Sequence, residues 1–301
     1  MPTRINSKNV KVWQVRDRNG QLLRWAMWMT AAILFYLSWM KISAETTWYF
    51  FFDAPRIAAD IGTRAFPPRW EYITSLGKPI WDTFNIATLG TVIALVIAVP
   101  VAFLAAQNTT PKIPLHPWAV GFIPPLARKF IMTTTSEGVH SAALIRPFAL
   151  LVIVSSRSIN SLIWALLLVS IVGPGVFAGL LAISIRSIGF CAKLLYEAIE
   201  EIDATQVEAI RATGASGWQV MVYGIVPQIL PAFAGIAVFR WDINIRESTV
   251  LGLVGAGGIG LQLQGSLNIL AWPQVSLILV VILVAVILGE WISAKVRAAI
   301  I

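Results

Sequence analysis

The sequence predicts an all-α integral membrane protein with six transmembrane helices, and three observations carry that prediction. Only 13% of the 301 residues are charged and 57% are hydrophobic, against about 25% charge in ordinary soluble domains. The apolar residues fall in blocks of roughly twenty, the number needed to cross a hydrocarbon layer of about 30 Å at about 1.5 Å per residue. Pro, Gly and charged residues punctuate the intervals between those blocks.

The first block runs from about Trp25 to Met40, between Arg24 and Lys41. It is short enough for a signal peptide, but its long polar lead-in, its Trp content and the poor small-residue site near Ala44 make it a retained anchor. The second, Thr83 to Ala106, stops at the polar stretch that opens with Gln107. The third and fourth, about Phe148 to Val172 and Val176 to Tyr196, flank Gly173-Pro174-Gly175. A turn that tight makes them antiparallel neighbours. The fifth covers about Ile229 to Leu251 and the sixth Val275 to Ile292. Six crossings put both termini on one side.

Lys and Arg accumulate in cytoplasmic loops. With the N-terminus inside, thirteen inner cations result: Arg4, Lys8, Lys11, Arg16, Arg18, Arg24, Lys112, Arg128, Lys129, Arg146, Arg211, Lys295 and Arg297. The outer side holds five: Lys41, Arg56, Arg64, Arg69 and Lys78. Cytoplasmic termini are therefore expected, and the net charge of +8 reflects topology and anionic lipid rather than nucleic acid. The expected organisation is a cytoplasmic segment 1–24, a first transmembrane helix with an outer interfacial segment over 25–80, and the main transmembrane domain over 81–301. The aromatic run Trp48 to Phe52 suits the headgroup zone. The proline-rich stretch 111–147 cannot hold a long helix.

Several chemistries are excluded by what the chain lacks. Cys191 is the single cysteine, and His116 and His140 are the only histidines, which leaves no zinc-binding cluster. Gly255-Ala256-Gly257-Gly258-Ile259-Gly260 fits a dinucleotide fingerprint, but no βαβ unit surrounds it and the next carboxylate is Glu290. It is read as a glycine turn between membrane helices. No phosphate-binding loop of the G-x-x-x-x-G-K-[ST] type occurs, so any ATP is bound by a partner subunit. Gly214-Ala215-Ser216-Gly217 lacks the spacing of a nucleophile elbow, and no nucleophile, metal cluster or acid and base pair can be assembled. The chain is expected not to be an enzyme and to carry no cofactor or metal.

The most informative stretch follows the fourth block. A short polar helix from about Thr205 to Ala212 is stopped at Gly214 by a left-handed cap, and a second short helix returns to the membrane at Pro227. Glu208-Ala209-Ile210, then Gly214, then Val226-Pro227 resemble the EAA loop of ABC-importer permeases, in which Glu-Ala-Ala is followed by three residues, Gly, nine residues and Ile-x-Leu-Pro. Glu208, Ala209, Gly214 and Pro227 match in register, while Ile210, Gly224 and Val226 replace Ala, Ile and Leu. The resemblance implies a type I importer permease fold whose coupling loop, about 203–227, docks on an ATP-binding subunit. It further implies a separate binding protein at the outer mouth and, with one loop per chain and two ATPases, a permease homodimer in a bacterial inner membrane.

Leu195 to Asp203, Phe239 to Gly252 and the glycine turn after it are similar to phosphonate importer permeases, over about Pro55 to the C-terminus. Asn160-Ser161 departs from an expected Pro-Glu, and Arg186 stands where histidine is common. The implied cargo is phosphonate or a related phosphorus oxyanion such as phosphite. The alternatives are an ABC permease for another small solute, such as methionine, and an ion-coupled secondary transporter. Inverted repeats would mark the latter, and none is visible.

An arginine at mid-bilayer costs roughly 2.5 to 3.5 kcal/mol on insertion scales, so Arg157, Arg186 and Arg240, near the middle of the third, fourth and fifth blocks, need a reason. Guanidinium suits phosphorus oxyanions because its planar fork donates two hydrogen bonds at once. At about 100° per residue, Arg240, Asn244 and Glu247 share one stripe, whereas Asp242 and Arg246 can pair on the other side. Lys193 can likewise reach Glu197. Arg157, Arg186, Arg240 and Asn244 are candidates for lining an anion path. The competing explanation is that neighbouring carboxylates or carbonyls neutralise each arginine.

Overall fold

The computed structural model describes residues 3–5, 11–13, 18–109 and 142–300. His116, His140 and the proline-rich stretch up to residue 141 lie outside the described residues. The chain divides into two units, Met1–Thr63 and Arg64–Ile301. In the first, β1 (Thr3–Ile5) pairs antiparallel with β2 (Lys11–Trp13), and these are the only strands among the described residues. Helix α1 (Arg18–Glu45) contains the first apolar block. None of its described side chains is buried within the chain. Helix α2 starts at Trp48 and ends at Ala65. Trp48 packs on Trp39 and Phe51, with ring centroids 6.3 and 5.8 Å apart.

The second unit is a helical bundle built on α3 (Ile73–Ala105) and α6 (Val176–Glu200). Buried positions of α3 recur every three or four residues, as a one-sided helix requires, and most are small: Ala87, Gly90, Thr91, Ala94, Ala98, Ala102 and Ala105. In lipid, small residues let two backbones approach closely, and the resulting van der Waals contact replaces the hydrophobic drive available in water. Around this pair stand α4 (Ala142–Ser158), α5 (Ser161–Val172), α9 (Val226–Leu251), α10 (Ile259–Asn268) and α11 (Trp272–Ile300). Among the described residues of the two units together, five helical segments, α1 included, are long and apolar enough to cross a membrane, and the bent pair α4–α5 makes six when it counts as one span.

That pair corrects the third block, which the sequence presents as continuous from Phe148 to Val172. The helix breaks after Ser158 and turns by 90°. Asn160 is extended, and its side chain accepts from the Leu162 amide at 3.0 Å, so it acts as the N-cap of a new helix. Ser155 and Ser158 turn their hydroxyls back onto carbonyls four residues earlier, a bond that weakens and bends the end of a helix. Arg157 consequently lies in the last turn of α4, exposed, beside the break between the two halves of this pair.

The glycine turn after α9 behaves as a turn, with Gly255, Gly257 and Gly258 all at positive φ. It leads into α10, a short helix that the apolar pattern does not announce. The amide of Ile259 donates to Thr83 Oγ1 at 2.8 Å, which ties the start of α10 to α3. At the other end of the bundle, Glu200 Oε1 accepts from the Gln107 amide at 3.0 Å and from Arg146 Nη2 at 3.4 Å. Arg146 Nε also donates to the Ala105 carbonyl, and Asn108 Nδ2 to that of Ile199. Cation and amide thereby satisfy the terminal carbonyls of α3 and α6.

Helices α4 and α6 cross where Ser156 Oγ accepts from the Gly189 amide at 3.2 Å. A methyl group on Gly189 would sit 2.6 Å from the Ile153 carbonyl and 2.9 Å from the Arg157 nitrogen, both backbone atoms. Gly189→Ala is therefore expected to cost about 1–3 kcal/mol through overpacking, read as a lower unfolding midpoint in detergent.

Candidate functional site

Two features rise above simple helix packing, and the first is the hairpin between α6 and α9. Its first limb is α7 (Ala204–Ala212), opened by Asp203, whose carboxylate accepts from the Thr205 amide at 2.9 Å. Hydrogen bonding from the Thr205 side chain, and then from this amide, holds the Asp203 carboxyl below its usual range, because the ionised form is the better acceptor. The chain reverses at Gly214, with φ of +80°, where a residue bearing Cβ would cost about 1–2 kcal/mol. Ser216 and Gln219 then form a capping box that starts α8 (Gly217–Val220). The Asp203 amide donates to Gln228 Oε1 at 3.0 Å, closing the base of the hairpin.

Between α8 and α9 the helix widens into a π turn, Met221–Ile225, in which the Val226 amide reaches back five residues to the Met221 carbonyl. Pro227 has no amide hydrogen to continue the regular ladder, which accounts for the local change of register. On the inner side Val207, Val220 and Ile225 are buried in the same apolar cluster as α3 and α6 residues. Gly224 leaves room for Ile210, whose Cδ1 would stand 3.2 Å from a Cβ there. Glu208, Ala209, Trp218 and Tyr223 stay exposed. The result is a projection packed firmly on one side and free on the other.

The second feature is a polar network inside the apolar bundle. Glu247 on α9 meets two guanidinium groups, Arg186 Nη1 through one oxygen and Arg240 Nη2 at 3.4 Å through the other. Arg240 is 2% exposed. Its Nε donates to Ser187 Oγ at 2.9 Å, and its head lies 5.1 Å from the Phe190 ring centroid. Ser187 Oγ donates to Asn244 Oδ1 at 3.2 Å, and Asn244 Nδ2 donates to Thr91 Oγ1 at 2.8 Å. The chain of bonds thus runs from α6 through α9 to α3. Buried polar groups are costly when unpaired, and this one leaves few unpaired.

The network carries one carboxylate for two guanidiniums. Neighbouring charges balance among themselves, since Arg246 pairs with Asp242 and Lys193 with Glu197, as their i,i+4 spacing leads one to expect. Arg186 is also the least satisfied member. Its second contact, to Ser161 Oγ, is 3.4 Å long, and its Nε is buried without an acceptor among the described residues.

Residues 131–298 match the family model described as the binding-protein-dependent transport system inner membrane component. The chain belongs to this family. It is 38% identical over 243 residues to the phosphite transport system permease protein PtxC of Stutzerimonas stutzeri, covering 81% of this chain and 77% of that one. It is 36% identical to the phosphate-import permease protein PhnE of Mycolicibacterium smegmatis over 78% of this chain, which spans 38% of that longer protein. Among solved structures, an inward-facing MetNI methionine ABC transporter chain superposes with a TM-score of 0.57 at 20% identity, covering 77% of this chain and 99% of its own. The fold is that of a type I importer permease. As a binding-protein-dependent permease, the chain is a transport subunit of the inner membrane rather than an enzyme.

Within the permease, Glu208, Ala209 and Gly214 lie on the hairpin, with Gly214 in the left-handed conformation, and Pro227 stands in the first turn of α9 at the hairpin's foot. The four intramembrane candidates separate. Arg186, Arg240 and Asn244 come together in the network, whereas Arg157 stands at the end of α4 with no polar partner among the described residues. Asn244 and Arg240 are enclosed between helices, and Arg186 keeps 22% of its side chain exposed. Sequence reasoning had not selected Glu247, Ser187, Thr91 or Ser161. The Arg240, Asn244, Glu247 stripe was a usable signal for the first, but nothing local marks the other three.

Proposed function

We propose that this permease moves phosphonate or a related phosphorus oxyanion such as phosphite across the inner membrane, fed by a binding protein and driven by a separate ATPase. The observation that carries this reading is the pair of guanidinium groups, Arg186 and Arg240, held inside apolar helices by a single carboxylate. A surplus positive charge there is costly, and an anionic cargo gives it a use. Relatives whose names specify phosphite and phosphate support the phosphorus class. The likeness to a methionine transporter, at 20% identity, concerns the fold and does not favour methionine as cargo.

In this reading Glu208, Ala209, Gly214 and Pro227 belong to the coupling loop, which docks on the ATP-binding subunit. Two copies of the permease pair to serve two ATPases, and both termini face the cytoplasm. The half-exposed polar groups Arg186, Glu247, Lys193 and Glu197 support the pairing, because such groups cannot face lipid cheaply. Arg186 lines the accessible part of the path, Arg157 stands beside it, and Arg240 and Asn244 hold the wall behind. The test is growth on phosphonate, phosphite, hypophosphite or phosphate as the sole phosphorus source, in a strain whose other uptake routes are deleted. Rescue by this permease with its ATPase and binding protein on phosphonate or phosphite is expected. Rescue on none of the four would refute the cargo class. Uptake without any ATPase would point instead to an ion-coupled carrier.

A further inference from the structure

The two guanidiniums that share Glu247 are held very differently. Arg240 is enclosed, bonded to Ser187 and set against Phe190. Arg186 has Glu247 as its one carboxylate partner, a long contact to Ser161, and a buried Nε with no acceptor among the described residues. Its side chain and that of Glu247 are 22% and 17% exposed. The accessible half of the triad is therefore the Arg186–Glu247 contact, and its inaccessible half is the Arg240–Glu247 contact.

We infer that Glu247 is a built-in stand-in for the cargo, a carboxylate that occupies the Arg186 fork when the path is empty and yields it to an incoming oxyanion while staying on Arg240. This inference rests on the cargo class proposed above. A carboxylate and a phosphorus oxyanion present the same kind of paired acceptor oxygens to a planar guanidinium. An unpaired guanidinium would be costly in the resting bundle and would hold an anion too tightly for transport, which needs sites weak enough to leave. Exchange avoids both extremes, because each bond gained by the cargo replaces one already made.

The experiment uses the whole transporter, permease with ATPase and binding protein, in proteoliposomes. ATP-driven phosphite uptake is measured against rising phosphite on the product side. In Glu247→Gln the competitor is gone, so the half-inhibiting phosphite concentration is expected to fall about tenfold or more, the scale of one charge-assisted bond, with slower turnover. Slower turnover with unchanged inhibition would mean a merely structural residue and would overturn the inference, as would wild-type behaviour in both readouts. If Glu247→Gln does not assemble with the ATPase, Glu247→Asp replaces it. Its shorter carboxylate keeps the charge but bridges both guanidiniums poorly, so half-inhibition shifts the same way by less, and no shift overturns the inference. A wild-type transporter that carries no phosphorus oxyanion refutes the cargo class itself, and this inference with it.

Discussion

Glu208→Lys is expected to reduce ATP-driven uptake by at least about tenfold, because in the proposed docking role it reverses a charge at the ATPase contact, which costs several kcal/mol, while the permease stays folded and inserted. The reason to expect so clean a separation is structural. Glu208 is exposed on α7 and makes no hydrogen bond or ion pair among the described residues, whereas the neighbouring Val207 does the packing. Surface substitutions away from such contacts usually change stability by no more than about 0.5 kcal/mol. Loss of uptake with an unchanged thermal midpoint would thus locate the defect at the ATPase contact, and capture of the ATPase by the tagged permease measures it directly. Gly214→Asp approaches the same surface from the backbone, since its φ of +80° disfavours a side chain. Wild-type uptake by Glu208→Lys would remove the docking role.

Arg240→Ala is expected to be the most destabilising single change in the bundle, at about 3–5 kcal/mol, the usual cost of removing one partner of a buried ion pair. It strips Ser187 of its guanidinium donor and leaves Glu247 with Arg186 alone. Arg240→Lys should recover only part of this, because a single ammonium cannot reach Ser187 and Glu247 as a planar fork does. Arg157→Gln is the matched control. Arg157 is exposed and makes no polar contact among the described residues, so its thermal midpoint should stay close to wild type. Unfolding midpoints in detergent, with yield of inserted protein, distinguish the three. If Arg240→Ala and Arg157→Gln melted alike, the network would not be holding α6 against α9.

The same contrast separates what was legible in the sequence from what was not. Spans, the glycine turn and the i,i+4 pairs Asp242–Arg246 and Lys193–Glu197 are local, governed by helix period and by residues within one or two turns. The hairpin between α6 and α9 belongs with them, because Asp203, Gly214 and Ser216 specify its caps from within the loop. Even the break at Asn160 left a local trace in the polar cluster Ser155 to Ser161, which the long apolar run around it concealed.

The sequence by itself therefore determined a multi-span helical permease with a capped helical hairpin between α6 and α9, since hydrophobic length, glycine conformation and motif register do not depend on distant partners. The fate of each intramembrane arginine was decided only by tertiary structure. Arg157, Arg186 and Arg240 look alike along the chain, yet one lies exposed at a helix end, one is half-accessible and one is enclosed. Burial and charge pairing depend on which helix faces which. Here the narrow stripe of Ala, Gly and Thr on α3 lets α6 and α9 close around Asn244 and Glu247, an arrangement among residues more than fifty positions apart.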